Sequence, residues 1–298
     1  MKKKAIVGII FTILVFLLLL IPNDEISNSI SQTVIFCGQT VIPQLFLYIC
    51  LSSIVWELGI VENIISAFPK YGVEIAVFFM GILSGFPSGA IIAGNLCEKG
   101  IITKKRAEYL LTFSNNAGIS FVFGYVSSLI GKTGAFSVFT CQIIFSVIYA
   151  VTGRKVLSQG DKKQYATLTS KTPSFSSLVN AIKNATKNMI NICGFILFFS
   201  AFSTSVISSA PPIFKGLAEM TTGLSALSSL SYQSRLWHSA LFLGFGGLCV
   251  HFQIFAACNV GTKRFFISKC ISALLFPPSA LFIHNFIVKI FLCLSRIQ

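Results

Sequence analysis

Acidic residues are scarce in this chain, with 9 Asp and Glu against 23 Lys and Arg, and only 11% of all residues are charged. Soluble domains carry charge on about a quarter of their residues. The hydrophobic share of 54% and the mean hydropathy of +0.81 are instead typical of an integral, multi-pass membrane protein. The positive excess then orients the spans and attracts anionic lipid headgroups. The lipid bilayer is therefore one predicted partner.

Motifs for catalysis and for metal binding are also lacking. The sequence contains no H-E-x-x-H, P-loop, G-x-S-x-G or C-x-x-C motif, and no pair of carboxylates at a usable spacing in the apolar runs. Most of the nine cysteines lie in apolar segments, where free thiols behave as small hydrophobes. No basic stripe with interleaved aromatics points to nucleic acid. We therefore predict no enzyme, no catalytic residue, no metal, no cofactor and no nucleic-acid partner.

The apolar runs divide the chain into four parts. Residues 1–33 hold a retained anchor span and an acidic loop, residues 34–152 form a first half, residues 153–187 form a basic cytoplasmic linker, and residues 188–298 form a second half. An apolar run long enough to cross the bilayer reads as a helix. The predicted spans and apolar segments are Ala5–Ile21, Val34–Trp56, Val73–Cys97, Ala107–Ile130, Ala135–Val151, Met189–Ile207, Phe214–Leu230, Leu236–Cys258 and Phe266–Ile290.

Two apolar runs are broken in the middle by poor helix formers. Ser84–Gly89 reads SGFPSG, and Ser114–Gly118 reads SNNAG. Proline removes a backbone donor, and glycine permits positive φ. Broken helices inside a membrane are tolerated where protein or a water-filled cavity covers them, as in transporters. Kinks needed only for tight packing are the competing interpretation.

The positions of the basic clusters predict that two segments do not cross the bilayer. Lys104–Arg106, the basic linker and Lys263–Arg264 all favour the cytoplasmic side. That is possible only if Val73–Cys97 enters and returns on one face, and if Phe214–Leu230 does the same from the opposite face. We thus predict an all-α fold with two re-entrant hairpins in an inverted repeat. Gly81–Gly89 lines up weakly with Gly216–Gly223, and Phe113–Gly118 lines up weakly with Phe245–Val250.

The predicted binding residues lie at these breaks and at their counterparts in the second half. Half-helix N-termini offer N–H groups and partial positive charge to an anion. Glu219 is an intramembrane acid that could hold a coupling cation or a proton, or could cap a helix structurally. Asn115 and Asn116 could stabilise a local kink, and His251 is favoured as an interior hydrogen-bonded residue. The candidate solute ligands are Ser84, Gly85, Phe86, Pro87, Ser88, Gly89, Ser114, Asn115, Asn116, Thr221, Thr222, Gly223 and Gln253.

Four motifs carry a resemblance to a known family. They are SGFPSGA at Ser84–Ala90, EKGIITKKRAEYLLTFSNNAG at Glu98–Gly118, EMTTGL at Glu219–Leu224 and GFGGLCVHFQ at Gly244–Gln253. In this order and spacing the chain resembles the YlbJ-type (SpoVV) sporulation integral membrane proteins, within the nucleoside-recognition or Gate-domain group. That group looks related to concentrative nucleoside transporters, with paired hairpins and partly unwound helices.

The resemblance implies a transporter that passes dipicolinate across the outer forespore membrane during sporulation. The expected partners are a small anionic solute, the bilayer and a possible coupling cation. Two alternatives stay open. One is a transporter of the same fold for nucleosides or other metabolites, and the other is a non-transporting sporulation scaffold that recruits partners through the basic linker.

Overall fold

The computed structural model describes residues 24–68, 70–154, 174–207 and 209–294. These ranges contain helices and connecting turns and no β-strand, which confirms the predicted all-α class. The helices are α1 (Asp24–Phe36), α2 (Ile42–Glu57), α3 (Ile60–Ala67), α4 (Gly72–Ser84), α5 (Ser88–Glu98), α6 (Lys104–Ser114), α7 (Ile119–Phe121), α8 (Ser127–Gly153), α9 (Phe175–Ile207), α10 (Pro212–Ala218), α11 (Met220–Ser225), α12 (Tyr232–Phe245), α13 (Gly247–Ala257) and α14 (Lys263–Leu294).

Within the described residues, five segments are long and apolar enough to cross a membrane. They are Asp24–Glu57, Lys104–Gly153, Phe175–Ile207, Tyr232–Ala257 and Lys263–Ile290, and Gly72–Ser84 is a shorter apolar helix. The predicted first span Ala5–Ile21 and most of the basic linker lie outside the described residues.

The first described span begins earlier than predicted. Residues 24–33 were predicted as a loop, but α1 begins at Asp24 and continues through a π-helical turn at Cys37–Val41 into α2. Asp24 and Glu25 lie in the first turn of α1, where negative charge complements the helix dipole. The polar side of α1 is also occupied, because the Thr33 hydroxyl lies 2.7 Å from the Ser200 hydroxyl of α9.

Helix α9 also begins earlier than predicted. It starts at Phe175, so the last thirteen residues of the predicted linker, 175–187, are helical. Its early turns still bury small residues, with Ala181 and Ala185 both fully buried. The charged and amide residues between them gave this stretch the appearance of a solvated linker.

The first predicted break is present. Helix α4 ends at Ser84, and α5 begins at Ser88. Gly85 between them has φ of 75°, a conformation that favours glycine. The two helices have 13 and 11 residues, about 20 and 17 Å at 1.5 Å per residue, so each is too short to cross a bilayer alone.

The second predicted break is present as well, and it lies in the first of two antiparallel segments. Helix α6 ends at Ser114, and helical structure resumes at Ile119. Gly131 then interrupts α8 with φ of 69° and ψ of 166°. The chain reverses there, because the Tyr109 hydroxyl of α6 donates to the Ala150 carbonyl of α8 at 2.6 Å, and Asn116 donates to Ser146.

The second half contains two further breaks. Helices α10 and α11 meet at Glu219, which has φ of −141° and ψ of 118°. The interruption therefore precedes the tip predicted at Thr222–Gly223, and those residues lie inside α11. Helices α12 and α13 meet at Gly246, whose φ is 88°. This break lies within Phe245–Val250, the segment that lines up weakly with Phe113–Gly118 in the sequence.

The buried apolar side chains form two clusters. The larger joins both hairpins, α4–α5 and α10–α11, to helices α6, α8, α12, α13 and α14. The smaller joins α1–α2 to α9 through Val41, Ile49, Met189, Ile192 and Ile196. Cys249 of α13 belongs to the smaller cluster, so the two clusters meet near the α12–α13 break.

A buried ion pair fixes the start of α4 against the start of α6. The Arg106 guanidinium donates from Nε and from one terminal nitrogen to the two carboxylate oxygens of Glu74, each at 2.9 Å. The side chains are 5% and 10% exposed. Removing one member of such a pair leaves an uncompensated charge in a medium of low polarity.

We expect Arg106→Gln to lower the free energy of unfolding by about 3–5 kcal/mol, because the Glu74 carboxylate then stays buried without its cation. Thermal and denaturant unfolding of the detergent-solubilised protein would measure the loss. Arg264→Gln is the matched control, since Arg264 contacts Glu108 at 3.9 Å with side chains 44% and 30% exposed. The control should lose less than about 1 kcal/mol. Equal losses in the two variants would contradict the assignment.

Candidate functional site

All four helix breaks meet at one small cavity. Its wall includes Gly85 from the first break, Gly118 from the second, Glu219 from the third and Val250 just after the fourth. We call it the middle cavity; it has a volume of about 50 Å³. Most of its wall is apolar, and Glu219 is the one charged residue among the described residues that line it.

The first two breaks touch each other directly. A Cβ atom on Gly85 would lie 2.6 Å from the Gly118 nitrogen, so these two backbones approach as closely as glycine allows. Gln142 of α8 then pairs with the unwound backbone. Its Oε1 accepts the Ala117 N–H at 3.1 Å, and its Nε2 donates to the Ala117 carbonyl at 2.9 Å. The side-chain amide thus replaces the helical partners that Ala117 has lost.

Asn115, in the second break, caps the first turn of α5. Its Oδ1 accepts the Ala90 N–H at 2.9 Å, and its Nδ2 donates to the Leu111 carbonyl. Asn116 donates to the Phe113 carbonyl and to Ser146, and both asparagines are buried. Ser114 donates to the Leu110 carbonyl. These three predicted ligands are therefore occupied by contacts within the protein and do not line the middle cavity.

Glu219 closes the N-terminus of α11 in the same way. Its carboxylate accepts the Thr221 and Thr222 N–H groups at 3.0 and 2.6 Å, and it also accepts both threonine hydroxyls. The residue is 2% exposed and lines the middle cavity. The donors predicted to face a solute are thus directed at a carboxylate of the chain itself. This is a capping arrangement, and it also leaves a charge beside the cavity.

The remaining predicted ligands divide between the middle cavity and its surroundings. Ser84, Gly85, Phe86, Thr221 and Gln253 line the middle cavity. Pro87 is the buried residue that precedes α5. Gly89 packs on the Ser114 backbone, and Gly223 packs on Gly216. Ser88 and Thr222 line two other cavities, described next.

Two larger polar cavities flank the middle one. The first, the Asn184 cavity, has a volume of about 280 Å³ and is lined by Ser52, Ser88, Asn95, Asn184, Lys187 and Asn188 among others. The second, the Thr33 cavity, has a volume of about 240 Å³ and includes Ser29, Gln32, Thr33, Ser200, Thr222 and Ser225. Thr221 belongs to both the middle cavity and the Thr33 cavity.

The three cavities follow one row of residues along α9. Asn184 and Asn188 line the first cavity, Ile192 and Ile196 line the middle one, and Ser200 lines the last. Residues four apart are neighbours on a helix surface, and sixteen residues extend about 24 Å. This length approaches the thickness of a bilayer core, about 30 Å.

Helices α1 and α2 line the same file of three cavities, in the opposite order to α9. Thr33 of α1 lines the Thr33 cavity, Val41 and Leu45 line the middle one, and Ile49 and Ser52 of α2 line the Asn184 cavity. Two antiparallel spans therefore flank all three cavities.

Several residues of this region were not predicted from the sequence to belong to the site. Asn184 and Lys187 were assigned to the linker, Asn188 was the unremarked first residue of the second half, and Gln142 was not selected inside an otherwise apolar span. A polar residue in an apolar run is a signal that could have identified Gln142, since membrane-buried amides generally have a partner. Lys269 is another polar residue in an apolar run that was not selected.

Lys269 is a buried lysine in the interior of α14. The residue is 3% exposed, and its ammonium lies 5.2 Å from the centre of the Phe86 ring and 5.7 Å from that of Phe265. Among the described residues, no carboxylate oxygen lies within 4 Å of it. Cation–π contacts contribute about 2 kcal/mol when desolvated, less than the several kcal/mol that burying an ammonium costs.

His251 belongs to the same aromatic group rather than to the cavity. Its Nε2 lies 3.1 Å from the Phe245 carbonyl oxygen, and its ring packs 4.9 Å from Phe265. His251 and Gln253 therefore point in different directions from α13, as is usual for residues two apart on a helix.

We expect Gly81→Ala to destabilise the site strongly, because its Cβ atom would lie 1.8 Å from the Ser114 carbonyl oxygen. The clash forces α4 away from α6, at a cost of about 1–3 kcal/mol or more. Gly194→Ala on α9 is the control, since no atom lies within 4 Å of its added Cβ. Melting temperature in detergent would measure both. A neutral Gly81→Ala would show that the hairpin does not need this contact.

Comparison with known proteins gives one curated relative. The chain is 24% identical over 289 aligned positions to the sporulation integral membrane protein YlbJ of Bacillus subtilis (strain 168), and the match covers 78% of this chain and 71% of the relative. No family model and no solved structure matches. Together with the five apolar helices, this similarity supports a multi-pass membrane protein. It also confirms the resemblance to the YlbJ-type sporulation integral membrane proteins that the four motifs carry.

Proposed function

We propose that the protein transports a small anionic metabolite along the file of three cavities. The observation that carries this proposal is the row from Asn184 to Ser200, which joins two polar cavities through a narrow apolar one at the meeting point of four broken helices. A solute could be hydrated at both ends and dehydrated only at the middle. Irregular backbone inside a membrane is found where it lines such a path.

We infer that the two halves form an inverted repeat. In each half a hairpin tip packs on the next broken helix: Gly85 on Gly118, and Met220 on Gly247. Helix α6 runs antiparallel to α8, α8 to α14, and α14 to α12, so α6 and α12 point in opposite directions. Both features support the resemblance to concentrative nucleoside transporters.

Glu219 favours transport coupled to a cation. An anionic solute in the middle cavity would face the Glu219 carboxylate, and two like charges in a medium of low polarity repel strongly. A proton or a cation at Glu219 removes that repulsion. The cap on α11 would then be an acceptor whose charge changes during transport.

The similarity to YlbJ supports a role in sporulation for this chain. Dipicolinate, a pyridine dicarboxylate, is the solute that the family resemblance implies, and the outer forespore membrane is the implied location. Its flat ring suits a narrow apolar passage, and its carboxylates suit the amide- and hydroxyl-lined cavities at either end.

Transport can be tested with purified protein in liposomes and labelled dipicolinate. We expect uptake by the wild type and little uptake by Ile196→Trp, because the larger side chain fills the middle cavity. Ile190→Trp is the matched control: the residue lies on the same helix, is 66% exposed and lines none of the three cavities. Size-exclusion profiles would verify that both variants fold.

The same assay distinguishes the alternatives. Uptake of nucleosides but not of dipicolinate would support a transporter of the same fold with a different solute. A folded wild type that moves neither solute would favour a scaffold. Unchanged uptake by Ile196→Trp would contradict the path along α9.

The sporulation role predicts a phenotype. Spores from a strain lacking this protein should contain much less dipicolinate than the parent, because the proposed importer is missing. Dipicolinate measured in purified spores would test this, with complementation by Ile190→Trp and by Ile196→Trp as the matched pair. Normal dipicolinate content in the deletion strain would contradict the role.

A further inference from the structure

We propose that Lys269 is the cation that receives a carboxylate of the solute, with the Phe86 ring standing between its ammonium and the middle cavity. This inference rests on the proposed transport of an anion and assigns its recognition to one residue. It is carried by the position of Lys269, which is buried in a membrane helix, has no carboxylate within 4 Å among the described residues, and lies against a residue of the cavity wall.

The Lys269 side chain does not extend toward the start of its helix. Lys269 lies six residues after the start of α14, about 9 Å along the helix. Long lysine side chains near a helix end usually extend toward water. This one instead reaches inward between the Phe86 and Phe265 rings.

Phe86 connects Lys269 to the solute path. Phe86 lines the middle cavity, and the Lys269 ammonium lies 5.2 Å from the centre of its ring. Gly85 precedes it with positive φ, and an added Cβ on Gly246 would lie 3.5 Å from the Phe86 Cζ. On this proposal the Phe86 ring turns aside when the solute arrives, and the ammonium then faces the cavity directly.

The charge pattern of the cavity fits a carboxylate at this position. Glu219 lines the cavity and holds the N–H groups of α11, so the helix end offers no free charge to an anion. Lys269 is the lysine buried beside the wall, and a solute carboxylate supplies the counter-charge that the described residues do not place within 4 Å of it. Charge-assisted hydrogen bonds of this kind are the strong ones.

The test is direct binding of labelled pyridine-2,6-dicarboxylate and of the neutral pyridine-2,6-dicarboxamide to purified protein. We expect Lys269→Gln to weaken dicarboxylate binding by at least about tenfold and to leave diamide binding unchanged. Lys269→Arg keeps the charge and should retain most of the affinity. Lys289→Gln is the control, because it removes an exposed lysine from the same helix.

Each outcome decides the proposal. If Lys269→Gln binds the dicarboxylate as tightly as the wild type does, the proposed role of Lys269 is wrong. The proposed transport function is unaffected by that result. If Lys269→Gln does not fold, the wild type alone decides, since equal affinity for dicarboxylate and diamide excludes recognition by a cation. Failure of the folded wild type to bind or move any dicarboxylate would contradict the proposed function and this inference together.

Discussion

Interrupting a helix inside a membrane protein leaves peptide groups that must find partners, and this requirement organises the structure. Each unpaired group in an apolar medium costs several kcal/mol. Here the partners are side chains: Gln142 pairs with Ala117, Asn115 with Ala90, and Glu219 with the start of α11. Because these partners lie on other segments or across a break, the breaks hold one another in place.

The same requirement explains why small residues gather at the breaks. A side-chain amide can pair with a backbone only if the backbones approach closely, and Gly81, Gly85 and Gly89 let the first hairpin rest on Ser114 and Gly118. In the second half, Gly223 rests on Gly216, and Gly247 rests on Met220. The result is a tight apolar centre between two wider polar cavities.

The sequence predicted the helical class, the membrane spans and the breaks at Gly85 and Gly118, because proline, glycine and polar residues in apolar runs are local signals. It left open whether Glu219 holds a cation or caps a helix, and it did not predict that Asn115 pairs with Ala90, since a cap depends on which backbone lies opposite. It also missed Lys187, because composition could not separate a polar helix face from a solvated linker. The start of α1 at Asp24 was missed for the same reason: its polar residues contact α9, which is distant in sequence.

On the proposed function, a solute can pass only if the wall of the middle cavity moves apart, because this cavity is narrow. A volume of about 50 Å³ holds little more than water, whereas the cavities on either side are about five times larger. The narrow wall is formed by Val41, Leu45, Ile192 and Ile196 from α1–α2 and α9 facing the hairpin tips. The side formed by α1–α2 and α9 belongs mainly to the smaller apolar cluster, and the hairpin tips belong to the larger one. Separation at this contact therefore opens the path with little change inside either cluster, because packed interiors resist continuous deformation while interfaces rearrange.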